Sequence, residues 1–188
     1  MSSAKLLTSG GGGVILQPAS SIASDVTVNL PVTAGTLDRL NRAGNVLQVV
    51  QSTTRTTTTI NTSTFTDTSL SASITPSSTS SKILVFISQQ VRNAAANPTT
   101  LGCRIRLLRG STNILSLSGE NTAFDTFEIT ADGGGNTRIA GYINFNYLDS
   151  PSSTSSVTYK TQASTSAGAH SFQNDSSISM ITLMEIAA

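Results

Sequence analysis

Charge is scarce in this 188-residue chain: eleven Lys and Arg and ten Asp and Glu make only 11% of it ionic, against roughly 25% in ordinary globular proteins. A formal net charge of +1 provides no field to gather phosphate backbones or anionic headgroups, which argues against nucleic acid as a partner. One Cys and one His rule out an intrachain disulfide and are too few for a structural zinc site. No run approaches the roughly 18 apolar residues of a membrane-spanning helix, so membrane insertion is not expected. The opening MSSAKLLTSGGGG lacks the apolar core of a signal peptide, and folding in a reducing cytosol is the expectation.

Ser and Thr occupy the place of the missing charge, and hydrophobic residues still make up 37%. The chain is polar without being ionic, unlike a disordered polyelectrolyte, and its length suits one domain plus an extension. From Val46 onward the apolar period is two. Leu70, Ala72 and Ile74 alternate with Ser71, Ser73 and Thr75; Phe127, Ile129 and Ala131 repeat the pattern; Val157, Tyr159 and Ala163 oppose Thr158, Lys160 and Gln162. Alternation with β-branched and aromatic residues is the mark of half-buried strands. Two segments, KILVFISQQV and SISMITLMEI, are apolar on both faces, as in strands covered on both sides, here by a neighbouring subunit. Clusters of Gly, Pro, Asn and Ser separate about ten candidate strands, near the eight of a jelly roll, so the expected class is all-β: an antiparallel β-sandwich or jelly-roll-like head over 46–188. Cys103 alternates with Ile105 and Leu107 and reads as a small core residue.

Residues 1–45 read as an extended N-terminal arm. Four glycines, Gly10 to Gly13, form a flexible lead, and the ribbon after them places Val26, Val28 and Leu30 on one side, Thr27 and Asn29 on the other. A strip this short owns no core and has to be buried elsewhere in an assembly, so Val14, Ile15, Leu16, Val26, Val28 and Leu30 are the expected docking and oligomerisation residues. GTLDRLNRAGN, with Thr36 as N-cap and Gly44 as a stop, fits a short helix or an ordered turn equally well.

Catalytic chemistry finds little to work with. Any Ser-His-Asp or Cys-His arrangement would need His170, which has no motif around it. The glycine runs lack the lysine and hydroxyl of a phosphate loop. Asp125, Glu128 and Asp132 fit solvated surface groups better than a glycosidase pair. No enzyme activity, cofactor or metal is expected. Recognition by loops remains, and AGAHSFQNDSS stands out: His170, Phe172, Gln173, Asn174 and Asp175 combine an aromatic face with amide and carboxylate groups, suited to a sugar. The alternative is that Phe172 anchors the loop to the core while its polar neighbours are solvated.

GGVILQPASSIASDVTVNLPVTAGTL resembles a segment recurrent in phage tail-fibre and related virion proteins. The stretches VVQSTTRTTTTINTSTFTDTSLSASITPSSTSSKILV, IRLLRGST, YLDSPSSTSSVTYKTQ and ITLMEIAA resemble the distal domain of fibre proteins from phages of cyanobacteria and other aquatic bacteria. The resemblance covers most of the chain from Gly12 and implies a homotrimeric, β-rich virion appendage whose distal domain meets the host surface; with the loop and arm readings above, the expectation is a head that binds host surface glycan and an arm that docks on other virion proteins (tail hub, adaptor or capsid). It supplies no binding residues. The ribbon follows Met1 without a shaft, so the appendage expected is short. A head-decoration or neck adaptor protein without receptor contact is the alternative, and a glycan-cleaving enzyme the remaining competitor.

Overall fold

The computed structural model describes residues 4–7, 13–16, 42–93, 100–117, 127–130 and 140–188. Two compact units divide the chain, Met1–Leu37 and Asp38–Ala188. In the first, β1 (Ala4–Leu7) and β2 (Gly13–Leu16) form an antiparallel pair with Ala4 opposite Leu16 and Leu7 opposite Gly13. Val14, Ile15 and Leu16 thus lie in strand β2, which Gly13 opens rather than leading up to it. Val26, Val28 and Leu30 lie outside the described residues.

The second unit contains β3 (Val46–Thr54), β4 (Thr58–Ile60), β5 (Thr66–Ile74), β6 (Lys82–Asn93), β7 (Thr100–Arg109) and β8 (Thr112–Ser116). It continues with β9 (Phe127–Thr130), β10 (Ala140–Asp149), β11 (Val157–Ala167), β12 (His170–Phe172) and β13 (Ser179–Ile186). Every described pairing is antiparallel. Three pairs of these segments are single strands with a break. β3 and β4 line up against β13 and β12, which lie end to end along one side of β6. β8 and β9 likewise lie along one side of β7. Counting each broken strand once leaves eight strands in two layers. Sheet I runs β3/β4, β12/β13, β6, β10, and sheet II runs β5, β11, β7, β8/β9. In chain order these are 1-8-3-6 and 2-7-4-5. The pairings 1·8, 2·7, 3·6 and 4·5 are those of one long antiparallel ribbon rolled up so that successive pairs alternate between layers, which is a jelly roll.

Alternation along each strand fills the space between the layers. β5 shows it plainly: Thr68, Leu70, Ala72 and Ile74 are buried while Asp67, Ser69, Ser71 and Ser73 are exposed. Leu70 and Ile74 meet Ile83, Val85 and Ile87 of β6, Leu107 of β7, Tyr159 of β11, and Ile181 and Leu183 of β13 in one apolar cluster. A second cluster holds Ile60, Val91, Cys103, Ile105, Ala163 and Phe172. Cys103 is therefore a core residue. The Thr-rich tract is extended, as its composition indicates, with a break at 55–57 between β3 and β4.

Turn chemistry closes the ends. Gly110 takes φ +59 in the two-residue turn between β7 and β8 and donates its N–H to Thr158 O at 2.8 Å, a backbone conformation that glycine adopts without a Cβ penalty. Residues 43–44 form a turn, and Gly44 (φ +88) donates to Ala187 O at 2.8 Å. This end of GTLDRLNRAGN is thus the ordered turn of the two readings; residues 35–41 lie outside the described part.

One buried carboxylate fastens the same end of the sandwich. Glu185 of β13 is fully buried and accepts from Ser77 N at 2.7 Å, Ser77 Oγ at 2.6 Å and Gln48 Nε2 at 2.6 Å. Burial alone would raise its pKa, but these donors outweigh it and bring the value from 4.5 down to about 2. A carboxylate depressed in the folded state stabilises the fold above its unfolded pKa and loses that contribution as pH falls through its folded value. Wild-type protein should therefore lose about 3 kcal/mol from this group between pH 5 and pH 2. Glu185→Gln should start less stable and show that much less decline in urea titrations across the window. Parallel pH profiles for the two proteins would contradict this role.

Candidate functional site

The loop singled out by composition is not a surface loop. β12 inserts between β4 and β6: His170 pairs with Ile60 and Asn93, and Phe172 with Thr58 and Val91. His170, Phe172 and Gln173 are completely buried, Asn174 is nearly so, and only Asp175 is exposed. The receptor-contact assignment of His170, Phe172, Gln173 and Asn174 is thereby corrected: all four are buried, Phe172 is the core anchor, and the Gln173 amide is spent on internal bonds.

The cause is the break between β12 and β13. Gln173 and Asp175 adopt left-handed backbone conformations (φ 52 and 53), which let the chain step out of the sheet and return, and the carbonyls of Thr56, in the break at 55–57, and of Thr68, in β5, lie beside the buried Gln173. The Gln173 side chain serves them. Oriented to satisfy both ends, its amide donates to Thr56 O and Thr68 O at 3.1 Å, and its oxygen accepts from Ser179 Oγ at 2.8 Å and Gln89 Nε2 at 3.2 Å. Gln89 also donates to Thr68 Oγ1 at 2.7 Å, and Thr68 bonds the Thr161 hydroxyl. Asn174 N donates to Gln90 Oε1 at 2.9 Å. A layer of hydrogen-bonded amides and hydroxyls thus lies between much of the two apolar clusters, stabilised by the bonds that Gln173, Gln89, Thr68 and Ser179 share. Asp175 pairs with Arg92 at 3.1 Å on the surface.

A second internal polar group ties the sheets together. Asp149, at the end of β10, accepts from Arg109 Nη1 at 2.9 Å through both oxygens and from Tyr159 Oη at 2.6 Å. Burial and the adjacent Asp149 carboxylate push the Tyr159 phenol far above its ordinary value. Tyr159 is fully buried, so its hydroxyl bond to Asp149 is a clip that fastens β11 to the end of β10 away from solvent. Among the described residues there is no cluster of three or more His, Cys, Asp or Glu able to hold a metal. The side chains of Asp125, Glu128 and Asp132 lie outside the described part.

The two outer faces differ in kind. Sheet II presents Ser69, Ser71, Ser73, Thr158, Lys160 and Asp67, with Lys160 and Asp67 paired at 2.8 Å. Sheet I presents an apolar row that crosses all four strands: Val49, Met184, Leu84 and Leu148 stand in register. Val46 and Ile186 extend it at one end. Val49, Leu148 and Val46 are about half exposed (55%, 50% and 49%). The inner faces of KILVFISQQV and SISMITLMEI are buried as expected, whereas within the described residues their outer faces are left partly open.

Beside that row the face dips. A shallow groove of about 330 Å³ is lined by Phe86, Ser88, Asn144, Asn146, Met180 and Thr182. It forms because small Ser88 sits between Phe86 and Gln90 along β6 and is flanked in register by Met180 of β13 and Asn144 of β10. Phe86 is 40% exposed, Asn144 and Asn146 are exposed, and Tyr142 stands two residues further along β10 at 53% exposure. The alternation of Asn144 and Asn146 with Ile143, Phe145 and Tyr147 in AGYINFNYLD was a local signal for the outward face of β10, whereas Phe86 and Met180 come from strands with two apolar faces and reach the groove only through sheet pairing.

No family model and no curated protein sequence matches the chain. Among solved structures, that of infectious bursal disease virus, Gx strain, aligns at 16% identity and TM-score 0.34, covering 94% of this chain and 43% of that one. A mutant VP2 protein of the same virus, in derived T=1 particles, aligns at 15% identity and TM-score 0.34 with the same coverage. The chain spans less than half the length of either. The fold and its one-sided apolar surface define an all-β jelly-roll protein.

Proposed function

We propose that the chain is a non-enzymatic structural protein of a virus particle: a trimeric, fibre-like appendage whose jelly-roll head contacts the host surface. The observation that carries the reading is the in-register apolar row Val49–Met184–Leu84–Leu148. A sheet with one face on its core ordinarily shows polar residues on the other, as sheet II does here, and apolar rows of this extent mark association surfaces. The occupant proposed is a second copy of the chain. The row carries no charge, so symmetry-related copies can meet there without like charges facing one another. The tail-fibre resemblance in sequence points the same way. Light scattering at micromolar concentration should return about 58 kDa, three copies of 19.4 kDa, and Leu84→Glu should shift the mass to a single copy. Antibody raised against the protein should label the surface of intact particles. A wild-type monomer would overturn the assembly, and unlabelled particles would overturn the virion role.

A further inference from the structure

The groove beside the apolar row has a chemistry of its own. None of its lining side chains is ionisable, so it has nothing with which to pair a carboxylate, phosphate or ammonium group. It offers flat and polar surfaces side by side: the Phe86 ring, the Met180 thioether, the Ser88 hydroxyl and two carboxamides. Asn144 and Asn146 make no side-chain hydrogen bond within the chain among the described residues, whereas the Thr182 hydroxyl accepts from Gln51 Nε2 at 3.0 Å and is already engaged. A carboxamide carries two donors and an acceptor with two lone pairs, matching vicinal hydroxyls that both donate and accept. An exposed aromatic ring matches the C–H face of a pyranose.

We infer that this groove, with Phe86, Ser88, Asn144 and Asn146 at its centre and Tyr142 at its open end, is a binding site for an uncharged saccharide. Tyr142 lies two residues from Asn144 on the same face of β10, about 7 Å along the strand, where it extends the site toward a second sugar ring. The volume of about 330 Å³ falls at the lower end of the roughly 300–1,000 Å³ of ligand pockets, fitting a short glycan stretch rather than a bulky ligand. Phe86 and Asn146 border the apolar row, while Ser88, Asn144 and Tyr142 lie progressively further from it along the strands. Subunit packing on the row would therefore leave the far end of the groove open. The inference rests on the surface-recognition role proposed above and names the ligand class and residues for it.

The test is saturation-transfer NMR on the full chain with methyl glycosides of glucose, galactose, mannose and N-acetylglucosamine, followed by oligosaccharides of whichever gives a signal. At least one should show transfer, and Tyr142→Ala and Asn144→Ala should each weaken its binding tenfold or more with unchanged melting temperature and mass. Leu84→Glu should dissociate the assembly while the isolated subunit still binds the sugar, which separates failure of this site from failure of the assembly reading. Absence of transfer from all four sugars would overturn the inference, as would binding indifferent to both groove variants. A change of mass rather than of sugar binding in Asn144→Ala would overturn it in favour of a second copy seated in the groove.

Discussion

Phe172→Ala should lower the unfolding free energy by about 3–5 kcal/mol, the usual cost of emptying a buried phenylalanine site, and the melting temperature by roughly 10 °C. Phe172 is completely buried among Ile60, Val91, Cys103, Ile105 and Ala163. Relaxation around the void is restricted, because β12 is held between β4 and β6 and its next residue, Gln173, is fixed by side-chain hydrogen bonds to Thr56, Thr68, Ser179 and Gln89 in the polar layer. Asp175→Asn, five residues from His170 in the same segment, keeps a residue type that tolerates the left-handed backbone there (φ 53), removes only the charge of a surface pair with an 82% exposed carboxylate, and should change stability by less than about 0.5 kcal/mol. Thermal and urea unfolding of the two variants side by side measure the contrast. Equal stability of Phe172→Ala and wild type would mean that the ring does not occupy the core.

Asp149→Ala should cost about 3 kcal/mol or more, because it strands two donors at once. Arg109 would lose a bidentate partner at 2.9 Å, and the fully buried Tyr159 hydroxyl its acceptor at 2.6 Å. Removing one side of such a group costs more than the group's net worth, since the remaining polar atoms keep their desolvation penalty. Tyr159→Phe removes the hydroxyl without leaving an unpaired atom on the phenyl ring, and should cost only about 1–2 kcal/mol. In the double variant the costs should fall short of their sum, because both act on one carboxylate. Additive losses in urea denaturation would show that Asp149 and Tyr159 do not share the bond. The position of the clip explains why its loss should be global: it joins the end of β10 in sheet I to β7 and β11 in sheet II.

Polarity of residue type proved a poor guide to exposure in one place, and the reason is specific. AGAHSFQNDSS combines turn formers with amides, so a local reading sends it to solvent. Gln173, left-handed at the break between β12 and β13, is buried where the Thr56 and Thr68 carbonyls reach it, and Gln89, Thr68 and Ser179 are buried in the same bonded network. Demand for hydrogen-bond partners, which only the assembled sheets create, overrode the preference of each side chain for water.

Sequence alone was sufficient for the all-β class, for the buried face of Leu70, Ala72 and Ile74, and for the core position of Cys103, because strand periodicity is local and an inward face has to be apolar wherever its partner lies. Tertiary structure alone decided which strands are neighbours. Val46 meets Ile186 and Thr66 meets Ala163 across most of the chain, and alternating patterns of period two are interchangeable until the roll closes. It also decided which apolar face of β6 and β13 is turned outward. Each of these strands carries two such faces, and only the arrival of sheet II on one side leaves the other to form the Val49–Leu148 row and the groove beside it.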